Sequence, residues 1–132
     1  ADIESLEFMG RVKQFSAAMR ACLPESVDAS LDILTGSLPP QLPNCDAVMD
    51  GWLQWPVGQF IADYGLNNYA AAMTSMEALT QRFSAEFAVR PFVERFPTQT
   101  FEHLLALTGH RSPHVRRWCS EGGGRGYRGA RN

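Results

Sequence analysis

The placement of proline and glycine constrains this 132-residue chain more than any other feature, because nearly every one falls where it would bound a helix. Between these breaks apolar residues recur every three or four positions, and no stretch keeps the strict alternation of a half-buried strand. No Asn-Gly hairpin signal occurs. The pattern predicts an all-α chain of successive helix pairs joined by short turns, built as a bundle or as stacked antiparallel helical hairpins.

Leu6, Met9, Val12, Phe15, Met19 and Cys22 form the apolar stripe of a first helix over Ile3 to Leu23, ended by Pro24. A shorter helix around Ser26 to Thr35 closes at Gly36. The three prolines of SLPPQLPNCD then require a loop. Gly51 to Trp55 leads into Pro56 and a helix that stops at Gly65, with both tryptophans stapling the loop to the core. Asn67 or Asn68 caps the next helix, whose stripe is Tyr69, Met73, Met76, Leu79 and Phe83. Arg90-Pro91 predicts a kink or break before Phe92 unless neighbours restore the helix. Pro97 opens a helix with Phe101, Leu104 and Leu105 inward. Ser112-Pro113 starts a last one, stopped by Gly122.

The 45% hydrophobic content supports a core, and no apolar run approaches the ~20 residues of a spanning helix. The amino end carries acids early, unlike a secretory or transit segment, so a cytoplasmic location is expected. Cys22, Cys45 and Cys119 are far apart, which argues against a disulfide framework or zinc site and predicts reduced thiols, mostly in the core. His110 and His114 are spaced like paired ligands, but Pro113 puts a helix boundary between them, and His114 reads as an exposed first-turn residue. Charge is graded along the chain. Residues 1–109 hold six Lys/Arg against thirteen Asp/Glu, whereas residues 110–132 hold six arginines against Glu121. The basic end is where phosphate could dock, or it serves only solubility.

Three segments carry a resemblance: WLQWPVGQFIADYGL at 52–66, LTQRFSAEFAVRPFVERFP at 79–97, and SPHVRRWCSEG at 112–122. In order and spacing they resemble the AlkC-type branch of the DNA alkylation repair glycosylases, which are built from HEAT-like helical repeats. The resemblance spans most of residues 1–122. It implies hydrolysis of the N-glycosidic bond of bases made cationic by alkylation, such as 3-methyladenine in double-stranded DNA, with no metal or organic cofactor. Carried over by motif, it implies Glu86 and Glu121 as catalytic carboxylates and Arg90, Arg116 and Arg117 as contacts to DNA or supports for the carboxylates. Without it, Glu86 has the spacing of an ordinary helix ion pair with Arg82 and Arg90. Arg116 and Arg117 equally fit a residue that ties one helical repeat to the next.

After Gly122 the family continues with an Arg/Pro-rich turn, a tryptophan and further repeats, whereas this sequence reads GGRGYRGARN. Residues 1–122 are thus expected to be a helical domain, the first part of an incomplete solenoid, and residues 123–132 a disordered Gly/Arg-rich tail. Such a chain is expected to have weak or no glycosylase activity alone and to self-associate through its exposed last repeat. The alternatives are a non-catalytic helical module binding DNA or protein, and a sequence-tolerant nucleic-acid contact by the tail.

Overall fold

The computed structural model describes residues 3–121, with side chains from residue 7 onward except at 48–50. Gly122, the tail at 123–132 and the side chain of Leu6 lie outside the described residues. Within them the chain is all-α: α1 (Ile3–Cys22), α2 (Val27–Gly36), a 3-10 segment (Cys45–Gln54), α3 (Trp55–Tyr64), α4 (Tyr69–Thr80), α5 (Glu86–Arg95), α6 (Pro97–Ala106) and α7, helical over residues 113–121. α1 packs on α3 and α3 on α5, while α2 packs on α4. Helical hairpins thereby stack in two rows, with the core between them.

α1 ends before Pro24, as its missing N–H requires. Its buried line differs from the apolar stripe. Val12 and Ser16 are buried, whereas Phe15 is 62% exposed and Cys22 is exposed. The face is set by a polar contact: the Ser16 hydroxyl donates to Asp63 Oδ2 of α3 at 3.0 Å, and Gln59 Nε2 donates to Asp63 Oδ1 at 2.8 Å. A fully buried hydroxyl needs such a partner, and turning Phe15 inward would orphan it.

Ser26 caps α2, its hydroxyl accepting from Ala29 N–H at 3.3 Å. Asn68 occupies the N-cap of α4 but spends its amide on Asp28 Oδ1 at 2.8 Å, linking α2 to α4. Gly65 ends α3 through space, not backbone freedom. Its φ is −92°, and a Cβ there would come within 2.6 Å of Ile61 O. Gly51 lets the 3-10 segment lie directly on the Arg82 carbonyl.

The main core gathers Leu31, Phe60, Ile61, Met73, Met76, Leu79, Val89, Phe92, Leu104, Val115 and Trp118. α5 runs unbroken through Pro91, the case in which neighbours restore the helix: Ala88, Val89 and Phe92 on either side are buried. Their packing outweighs a proline cost of about 3 kcal/mol. In α6, Leu104 is buried as expected, but Phe101 and Leu105 are 37% and 57% exposed. Thr100 takes an inward position instead, donating to Phe92 O at 3.1 Å and accepting from Tyr69 Oη at 3.1 Å. Of the loop tryptophans, Trp55 staples, its ring 5.1–5.4 Å from those of Phe8, Phe83 and Phe87, while Trp52 is 47% exposed.

Candidate functional site

The turn between α4 and α5, residues 81–85, is where the motif residues converge. It breaks the helix because Ser84 spends its hydroxyl on the Glu86 N–H, at 3.3 Å, which starts α5 at Glu86. The Glu86 carboxylate thus sits in the first turn of α5, where the helix dipole favours negative charge. Its side chain is 22% exposed, and Oε1 lies 3.5 Å from Arg90 Nη2 one turn on. Arg90 is 55% exposed, so most of its guanidinium faces solvent. Arg82 turns toward the proline loop. Its Nε donates to Pro39 O at 3.0 Å and its Nη1 to Ala78 O at 3.0 Å, so it fastens the proline loop to α4.

α7 docks on the same turn. Arg117 Nη2 donates to Phe83 O at 3.0 Å and meets Thr80 Oγ1 at 3.2 Å, a cation at the carbonyl end of α4. Arg117 Nη1 is buried with no acceptor among the described residues. Trp118 is 1% exposed, and its Nε1–H donates to Ala85 O at 3.2 Å, one residue before Glu86. Glu121 follows three residues after Trp118 and four after Arg117, so it shares their face of α7 one turn further along, and it is exposed. What the structure brings to the Glu86-bearing turn is thus Arg117 and Trp118 of α7. Arg116 stands apart: Nη1 donates to His110 O at 2.7 Å and Arg111 O at 3.1 Å, closing the turn before its own helix.

His114 is not the exposed residue its first-turn position suggested. It is 3% exposed, with Nε2 3.0 Å from Leu42 O and Nδ1 3.8 Å from Cys45 Sγ. The signal was present in the sequence, since His114 lies four residues before Trp118 on the face that the tryptophan buries. His110 turns the other way, accepting from Ser112 N–H at Nδ1 (2.9 Å) and meeting Glu77 Oε1 at 3.2 Å through Nε2. The cysteines divide by environment: Cys22 is exposed, Cys45 half-buried, and only Cys119 lies in the core. There burial, with the Glu77 charge adding to it, pushes the Cys119 thiol up to about 11.

No protein-family model matches the chain, and no solved structure matches it. Over 121 residues, 92% of its length, it is 28% identical to a Bacillus subtilis (strain 168) protein that bears the name Uncharacterized protein YhaZ. The chain spans 32% of the length of that curated relative.

Proposed function

We propose that the chain carries part of the base-excising site of a DNA glycosylase that acts on cationic alkylated bases such as 3-methyladenine in duplex DNA. The observation that supports this reading is the Trp118 to Ala85 hydrogen bond, which docks α7, the helix that bears Glu121, on the turn that starts α5 at Glu86. A base that already bears positive charge leaves C1′ readily with the glycosidic electron pair. What remains is to stabilise the oxocarbenium-like sugar and to direct water at C1′, and paired carboxylates do both. In this reading Glu86 and Glu121 perform those roles. Arg90 meets phosphate, and Arg117, anchored on Thr80 and Phe83, fixes α7 against the turn. A cytoplasmic location belongs to the same reading; no described helix is long and apolar enough to cross a membrane. Activity of the chain alone is expected to be weak, and the exposed Phe101 and Leu105 of α6 offer a surface for self-association.

The test is release of free methylated base from alkylated duplex DNA, measured beside duplex binding for the chain and its Glu86→Gln and Glu121→Gln forms. Expected are weak release, a drop of about 100-fold or more in each variant, and unchanged binding. Release that survives both substitutions overturns the assignment. Binding without release in every form favours a non-catalytic DNA-binding module, and neither binding nor release favours a protein-binding one.

A further inference from the structure

Away from the carboxylates, the proline loop and the start of α7 bring a thiol and an imidazole together. Cys45 Sγ is 3.8 Å from His114 Nδ1, and His114 Nε2 is 3.0 Å from Leu42 O. A carbonyl oxygen can only accept, so Nε2 carries the hydrogen and Nδ1 of the neutral ring presents its lone pair to the sulfur. The ring cannot easily turn away. His114 is 3% exposed, and the Thr80 hydroxyl donates to its carbonyl at 3.4 Å. Leu42 is fixed from the other side, its N–H donating to Gln81 O at 2.9 Å, while Arg82 holds Pro39. A nucleophile beside a base, with the base oriented by a third group, is the arrangement that activates a thiol. Cys45 is only half-buried, so a small molecule can reach it.

We propose that Cys45 is a nucleophilic thiol site, with His114 as its base, for small carbon electrophiles that bear a leaving group. As Sγ attacks the electrophilic carbon, the thiol proton passes to His114 Nδ1. The new C–S bond forms as the bond to the leaving group breaks, and the leaving group departs with that electron pair. The products are a thioether on Cys45, an imidazolium that returns its proton to water, and the free anion. No oxidant or reductant is involved. An alkyl halide or haloacetamide meets the demand for a small soft carbon centre.

The chain supplies its own controls. Cys22 is exposed, with no histidine hydrogen-bonded to it among the described residues, and Cys119 is buried. The full chain is treated at pH 7 with a limiting amount of iodoacetamide, and each cysteine's rate is read by peptide mass mapping. Cys45 is expected to react about tenfold or more faster than Cys22, with Cys119 unmodified. His114→Gln is expected to bring Cys45 down to the Cys22 rate or below while Cys119 stays protected, which reports that the fold is intact. Equal or slower reaction of Cys45 in the unaltered chain overturns the proposal, as does an unchanged Cys45 rate in His114→Gln with Cys119 protected. If His114→Gln exposes Cys119, the ratio of Cys45 to Cys22 in the unaltered chain decides by itself.

Discussion

The three tryptophans differ in what their indole nitrogens meet, and replacing each by phenylalanine should expose that difference. Trp118 is 1% exposed and donates to Ala85 O. Its loss to Phe removes roughly 40 Å² of buried apolar surface, worth ~1 kcal/mol. The cavity left, roughly 40 Å³, costs about another 1 kcal/mol. The lost hydrogen bond adds about 1 kcal/mol. Ala85 O keeps its bond from Val89 N–H at 3.0 Å, so no orphan acceptor enlarges the sum. The expected cost is therefore about 3 kcal/mol. Trp55 is only partly buried, and its Nε1–H is buried without an acceptor among the described residues. Removing that orphan recovers about 1–3 kcal/mol and offsets the smaller packing loss, so Trp55→Phe should fall within about 1 kcal/mol of neutral. Trp52, 47% exposed, should change stability by less than about 0.5 kcal/mol. Urea unfolding followed by far-UV circular dichroism gives the comparison, provided the slopes agree. A Trp55→Phe loss as large as that of Trp118→Phe would refute the orphan-donor argument; a Trp118→Phe loss below about 0.5 kcal/mol would refute the docking of α7.

Two glycine substitutions should move in opposite directions. Gly10→Ala, in the middle of α1 with nothing within 4 Å of the new Cβ, should raise stability by about 0.5–1 kcal/mol, whereas Gly51→Ala drives a methyl into the Arg82 carbonyl and should lower it by more than about 2 kcal/mol. Thermal midpoints check both. At alkaline pH the raised Cys119 thiol acts with a definite sign. The folded chain keeps a proton that the unfolded chain gives up, so its contribution is fully present below pH 9 and is lost as pH rises from about 9 through about 11. Stability measured in urea should fall across that window, and Cys119→Ala should flatten the fall; an unchanged slope in the variant would place the effect elsewhere.

Local signals carried most of the helix boundaries. Pro24, the Ser26 cap, Pro56, Pro97 and Ser112-Pro113 each act on backbone within a turn of themselves, so their effects are readable without the fold. The motif residues were legible too, since Glu86 and the Val-Arg-Arg run stand out as strings. What each does was not. Arg90 keeps its guanidinium exposed, Arg116 closes a local turn, and Arg117 reaches thirty-four residues back to Phe83.

The sequence by itself determined an all-α chain and where most helices start and stop, because propensity, capping and proline geometry are short-range. Only the tertiary structure decided which face each helix buries. A shared polar partner turned Ser16 inward in place of Phe15, Thr100 displaced Phe101 and Leu105, and Pro91 stayed inside α5 because the core on either side of it outweighs one missing hydrogen bond. The same holds for His114, whose burial depends on a loop carbonyl seventy-two residues away in sequence. Partners so far apart in the chain leave no periodic mark on it, and only packing brings them together.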